Sequence, residues 1–268
     1  MEPLELLAEA PGLPRWELPA ELERLYAGGI GFEPPCLVAN FIETLDGVVA
    51  IPDLPRSNSL IAAESEADRF VMGLLRACAD VVLIGSGTML ASPAGRWRPD
   101  GVHPPSASLF AKLRAARGLA EAPRVAVVTA GGSFDASHPV VAAGALVLTT
   151  ERAAPDLSAS VPTSAEVVPV NDDEAVDAGA AVALLHARGY GVVLSEAGPT
   201  LTASLLASDV VDELFLTLSP LVAGRATSPR LGLVDGVELL PDVRVGGELR
   251  SVRRGGSHLL LRYALSRL

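Results

Sequence analysis

The chain has 268 residues, 49% of them hydrophobic, with a net charge of −11, enough for one large domain or two small ones around a sizeable core. The acidic balance, with a pI near 4.8, argues against a nucleic-acid partner, because affinity there comes largely from neutralised phosphates. No apolar run approaches the roughly 18 residues of a membrane span and no charged-then-apolar leader opens the chain, so the sequence reads as cytoplasmic with no membrane partner.

In chain order, residues 1–35 hold Pro3, Pro11, Pro14, Pro19, Pro34 and Pro35 and one short helical candidate at 20–27. They read as an extension wrapping a single domain that runs from 36 to 268. Residues 36–43 (CLVANFIE) form the first strand, followed by Thr44-Leu45-Asp46-Gly47 and a loop with Pro52 and Pro55. A helix over 64–79 shows an apolar stripe of Phe70, Val71, Leu74, Leu75 and Cys78, with Ser65 and Asp68 as a weaker capping box. Residues 80–85 (DVVLIG) are a β-branched run without alternation, as in a strand covered on both faces. Residues 89–105, polar and rich in proline, read as a long loop.

A helix over 106–117 and strands over 125–129, 145–149 and 166–170 follow, then a helix over 174–188 closed by Gly189. Val192–Leu201 (VVLSEAGPTL) reads as a buried strand, a tight turn at Gly198 and a helix beginning at Pro199, where a missing N–H costs nothing. Residues 211–218 alternate, and 248–254 with 258–265 flank Gly255-Gly256-Ser257 as a hairpin. Strands alternating with helices imply an α/β fold with a mostly parallel sheet, helices on both faces and antiparallel C-terminal edge strands.

Ligands of such sheets lie at the carboxyl ends of strands, which directs attention to residues 44–47, 85–88, 129–133 and 196–200. A helix start after a glycine turn aims free N–H groups and the positive dipole end at a phosphate. Gly85-Ser86-Gly87 lacks the third glycine of the dinucleotide fingerprint, and Lys112, the single lysine, fits neither a phosphate loop nor a Tyr-x-x-x-Lys dyad. Plainer readings stand beside these. Asp46 before Gly47 suits an ordinary turn, Thr88 suits a turn start, and Arg96 and Arg98 suit solvated loop charges. Cys36 and Cys78 read as buried thiols. The four histidines lie far apart without Cys-x-x-Cys or His-x-Glu, so no metal site is expected.

Taken together, Asn40-Phe41-Ile42-Glu43-Thr44-Leu45-Asp46-Gly47, the run from Ala79 to Thr88, Glu196-Ala197-Gly198-Pro199-Thr200-Leu201, Val211-Asp212-Glu213-Leu214 and Ser219-Pro220 resemble, in order and spacing, the reductase domain of the bacterial riboflavin-pathway deaminase/reductase. The resemblance covers about residues 36–265 and implies a dihydrofolate-reductase-like fold, NADPH as cofactor, a small-molecule substrate and a homodimer. It implies hydride transfer to the ribose of 5-amino-6-(5-phosphoribosylamino)uracil, giving the ribityl chain, with no metal. By position, Gly85, Gly87, Thr88, Ala197, Gly198, Pro199, Thr200 and Leu201 would hold the cofactor's phosphates and nicotinamide side, and Thr129 would lie near its adenosine half. Asp46 and Glu196 would face the reacting centre as catalytic residues. Asn40, Thr44, Ser92, Arg96 and Arg98 would meet the substrate.

The chain departs from the family where Lys is usual and Asn40 stands, where Thr-Gly is usual and Ala62-Ala63 stands, and where an Asp-rich segment is replaced by Ala91-Ser92-Pro93. Ala130 replaces an Arg that often grips the 2′-phosphate of NADPH, leaving Thr129, Ser133 or Arg152 to substitute. Alternatives are a reductase of another small imine or carbonyl compound, or a catalytically silent nucleotide-binding homologue.

Overall fold

In the computed structural model, which describes all residues except 55, 56 and 133, the chain opens with a strand, Glu5–Glu9 (β1), that its sequence pattern does not announce. ELLAE lacks alternation and stays largely exposed; it is a strand because its backbone pairs antiparallel with residues 251–254 at the other end of the chain. Ala20–Tyr26 (α1) and the strand Cys36–Glu43 (β2) follow as expected. Pro55 in the next loop, like Ser133, lies outside the described residues.

Ser57–Ile61 (α2) and Glu66–Cys78 (α3) lead to Val81–Gly85 (β3). Ser65 caps α3 by accepting the Asp68 N–H at 3.2 Å, but the Asp68 carboxylate does not return to Ser65, whose own N–H goes to the Ala62 carbonyl. The expected glycine turn after β3 is instead a direct passage into a helix, Ser86–Ala91 (α4), with Gly85 as N-cap and Gly87 in its first turn. Pro99–Val102 (α5) and a 3₁₀ turn at Pro104–Ser106 further shorten the expected loop. These pieces are too short to leave a periodic pattern.

Ala107–Ala116 (α6), Arg124–Val128 (β4), Pro139–Ala142 (α7), Leu146–Thr150 (β5), Ala154–Ser160 (α8) and Glu166–Asn171 (β6) continue the alternation. Ala178–Ala187 (α9) begins four residues later than the pattern suggests, because Asp177 accepts the Ala180 N–H and fixes the start. Val192–Ser195 (β7), Pro199–Ala207 (α10), Glu213–Leu218 (β8), Val245–Gly255 (β9) and His258–Arg267 (β10) complete the chain.

Among the described residues the strands form one ten-stranded sheet ordered β1-β9-β10-β8-β2-β7-β3-β4-β5-β6. It is parallel from β8 to β6 and antiparallel from β8 through β10 and β9 to β1. Alternate strand residues feed two apolar layers. Val38, Val82, Ile84, Leu194 and Phe215 pack with α1, α3 and α6, while Leu37, Leu83, Val193 and Leu214 pack with α9 and α10. Residues 1–35 are fastened to the C-terminal hairpin by Arg253, only 2% exposed. Its guanidinium donates to the Tyr26 carbonyl (2.7 Å), Glu9 (2.7 Å) and Ser251 (2.8 Å), and lies 3.9 Å from the Tyr26 ring centroid.

Candidate active site

β7 is the strand at which the connection order reverses, with β2 and β8 on one side and β3 to β6 on the other. The crevice outside its carboxyl end is where such a sheet takes a ligand. Val192–Ser195 is fully buried, and the Glu196 N–H extends the ladder by donating to the Leu83 carbonyl at 3.0 Å. Gly198 then caps α10, with Pro199 at the first helical position as the sequence suggests.

The turns after β7 and β3 face each other. A Cβ added at Gly198 would meet the Thr88 hydroxyl at 3.4 Å, one at Gly85 would meet Leu201 at 3.7 Å, and Gly87 faces open space. The first turns of α4 and α10 therefore start side by side. Helix starts carry N–H groups without intrahelical partners and a positive dipole end, so the pair presents donors suited to two linked phosphates.

Beside these turns lies a polar wall set into the otherwise apolar layer under α3. Glu196 is held by Arg76 through two parallel bonds of 2.7 and 2.6 Å, with side-chain exposures of 10% and 12%. A carboxylate has about four lone-pair sites, and the fork uses two. Arg76 also donates to the Arg98 carbonyl at 3.2 Å. Asn40 stands one step beyond the last β2–β7 pair, Ala39↔Ser195, and so next to Glu196; its amide has no partner among the described residues.

Asp68 enters the wall from α3, almost wholly buried and accepting the Thr217 hydroxyl. Burial pushes its carboxyl up to about 6, opposed first by Thr217, then reinforced by the nearby charge of Glu196 and weakly opposed by Arg69 and Arg76. The signal for Asp68 was present in the sequence as a charge three and seven residues ahead of Val71 and Leu75, inside the apolar stripe. The partnerships of Arg76 with Glu196 and Asp68 with Thr217 span the chain and leave no local mark.

A raised carboxyl pKa costs stability above the unfolded-state pKa, where the unfolded chain gives up its proton first. Asp68→Asn is expected to leave stability nearly unchanged at pH 3, below the ordinary aspartate pKa of 3.8. The variant should gain on the parent between about pH 4 and 6, where the unfolded chain has released the proton that the folded one still holds, and level off near roughly 3 kcal/mol by pH 8 from a shift of about two pH units. Urea unfolding at the two pH values checks this; an equal effect at both would remove Asp68 as a buried titrating group.

Thr44 and Asp46 bond to each other and to backbone around the end of β2. The Thr44 hydroxyl donates to Asp46 at 2.6 Å and accepts the Val48 N–H at 3.0 Å. Asp46 also accepts the N–H groups of Ala223 and Gly224 at 2.9 and 2.8 Å. The Thr44 bond and then these two backbone donors hold its carboxyl down at about 2. With Leu45 N–H to the Leu221 carbonyl (2.7 Å) and Val49 N–H to Leu231 (2.9 Å), Asp46 latches the 219–236 segment against the end of β2. That segment reaches α10, where a Cβ on Gly236 would lie 4.0 Å from Thr200.

Arg96 and Arg98 lie away from the paired helix starts. They line a cavity with Asp80, Arg124 and Tyr190, at the amino ends of the strands, because the 92–98 segment runs down the α3 side of the sheet instead of crossing the crevice. Arg98 pairs with Asp100 and Glu121. Ser92 lies beyond the last turn of α4, its carbonyl taken by His138 Nε2 at 3.0 Å and Gly95 N–H at 2.7 Å. Thr129 is buried at the end of β4, accepting the Gly131 N–H at 3.2 Å. Gly131, at φ +95°, passes so close to Ala153 that a Cβ would sit 2.7 Å from its methyl. Ala130 is exposed, and Arg152, also exposed, lies 3.7 Å from Glu174.

The family model described as the RibD C-terminal domain matches residues 35–260. The 2,5-diamino-6-ribosylamino-4(3H)-pyrimidinone 5′-phosphate reductase of Archaeoglobus fulgidus is 26% identical over 215 residues, 79% of this chain and 91% of that protein. Among solved structures, a pyrimidine reductase-like protein from Corynebacterium diphtheriae superposes with a TM-score of 0.66 at 20% identity, covering 87% of this chain and 93% of that one. A riboflavin biosynthesis reductase from Saccharomyces cerevisiae gives 0.54 at 17% identity over 93% and 95%. At these identities the two structures establish the fold alone.

Proposed function

The chain belongs to the RibD C-terminal domain family, and from that membership we propose that it is a cytoplasmic NADPH-dependent reductase of the riboflavin pathway. It would reduce the ribose of a phosphoribosylaminopyrimidine to the ribityl chain. The observation that carries the reading is the meeting of the Gly85–Thr88 and Gly198–Leu201 turns beside the Glu196–Arg76 pair. The site fits the cofactor: Gly87 opens onto free space, and the Gly198 cradle narrows with any side chain.

Gly85, Gly87 and Thr88, with Ala197, Gly198, Pro199, Thr200 and Leu201, would hold the diphosphate and nicotinamide side, and Thr129 the adenosine half. When bound, the cofactor supplies the hydride. Glu196, oriented by Arg76, offers its remaining lone pairs to substrate hydroxyl or N–H groups. Asn40 offers both a donor and an acceptor from the adjacent strand. Asp68, titrating near 6 in the same wall, holds a proton closer to neutral pH than a surface carboxylate does. Asp46 acts as a positioning residue through the 219–236 segment.

A homodimer is supported by Leu6, Leu7 and Leu249, which leave 42%, 47% and 43% of their surface exposed on the paired strands β1 and β9. Light scattering on the 27.7 kDa chain reads the assembly directly.

The test is NADPH oxidation with 5-amino-6-(5-phosphoribosylamino)uracil and, separately, with the 2,5-diamino-pyrimidinone phosphate. Turnover of either supports the proposal. Cofactor binding without turnover of either supports the second reading, a different small imine or carbonyl substrate or a silent homologue, which Asn40 and Ala62-Ala63 favour. Absence of NADPH binding at millimolar concentration refutes both reductase readings.

A further inference from the structure

At the amino ends of the strands, the opposite end of the sheet from the paired helix starts, lies a cavity of about 710 Å³ whose walls include Arg96, Arg98, Arg114, Arg124, Arg188 and Tyr190. So many guanidinium groups in one cavity are unexpected in a chain of net charge −11. Their local balance is uneven. Arg98 is paired with Asp100 and Glu121, and Arg124 and Arg188 share Glu166. Asp80, the carboxylate in the wall, accepts the Val192 N–H at 2.7 Å.

Arg114 and Arg96 have no carboxylate partner among the described residues. Arg114 is 2% exposed. Its Nε donates to the Ala120 carbonyl and its Nη1 to the carbonyls of Arg76, Ala77 and Ala79, which leaves Nη2 without a hydrogen-bond partner among the described residues. Burial brings its pKa down to about 10, against the charge of the nearby Asp80, which works the other way. The exposed Arg96 makes no hydrogen bond to any described residue.

We propose that this cavity is a second binding site, for a small organic phosphate or diphosphate held by Arg96, Arg114 and Arg188. Planar guanidinium forks match phosphate oxygens in pairs, and a buried one loses little hydration on binding. The site is separate from the paired helix starts above β3 and β7. It also touches the residue that orients Glu196, since Arg114 donates to the Arg76 carbonyl (3.1 Å) and the Arg98 carbonyl accepts from the Arg76 side chain.

Calorimetric titration with inorganic pyrophosphate tests the proposal. The parent protein is expected to bind it saturably with a Kd below about 1 mM, and Arg96→Ala/Arg188→Ala to bind at least tenfold more weakly. Should the double variant lose its circular-dichroism signal, Arg96→Ala alone, which removes an exposed and unpaired side chain, is expected to weaken binding at least threefold. Absence of saturable binding at 10 mM overturns the site. So does unchanged affinity in the folded variants, which would place the pyrophosphate at the helix starts.

Discussion

Glu196→Gln is expected to lower turnover about 10²–10³-fold while NADPH affinity changes by less than about threefold. Gln keeps the size and one acceptor oxygen, but it cannot accept the Arg76 fork through two oxygens, bonds of 2.7 and 2.6 Å in the parent. The variant thus loses the charge facing the substrate and the device that fixes its direction. Removing one positioned electrostatic group costs about 2.7–4 kcal/mol in comparable sites. Cofactor affinity is spared in the proposed reading, where it would rest on backbone groups of the two helix starts. Steady-state kinetics with fluorescence titration of NADPH separates the two quantities. Turnover within about threefold of the parent, under roughly 0.7 kcal/mol, would make Glu196 a structural end to β7.

The largest effect on stability is expected at Arg262 on β10. Its guanidinium forks onto Glu213 of β8 at 2.6 and 2.7 Å and donates to the Gly31 carbonyl at 2.9 Å. It lies 5.1 and 5.4 Å from the rings of Phe32 and Phe215. With 3% of Arg262 and 17% of Glu213 exposed, Arg262→Leu strands a carboxylate in an apolar layer and should cost about 3–5 kcal/mol. Arg262→Leu/Glu213→Leu should recover most of that loss, since a buried pair replaced whole by apolar residues is often neutral. Urea unfolding of both variants decides the matter. A double variant as unstable as the single one would show that the Gly31 contact, and not the stranded charge, sets the cost.

What the sequence disclosed follows how local each determinant is. The β2 boundaries, the start of α10 at Pro199 and the hairpin at Gly255-Gly256 depend on residues within one turn of themselves, and the structure places them there. β1 was hidden because its partner is about 245 positions away. The facing glycine turns were legible as two turns; their contact through Thr88 and Leu201 was not. Asp68 was visible only as a cap, because Thr217 lies far along the chain, and the Arg76 partner of Glu196 was hidden because it lies 120 residues upstream. The place of Arg96 and Arg98 was not legible because the course of a proline-rich segment is set by what it packs on, here Trp97 tilted against His138.

The place of β2 in the sheet bears on how the chain matures during synthesis. Both its neighbours, β7 and β8, begin only at residues 192 and 213. While roughly the first 190 residues leave the ribosome, β2 has neither flank paired, and its apolar face, including Phe41, lacks the layer built by α9 and α10. Sheet closure waits on contacts of long sequence separation, which fold slowly and leave strand edges open meanwhile. The middle of the finished sheet is therefore the most exposed part of the nascent one, and a chain that stops short of β7 offers β2 as a template for pairing with other chains.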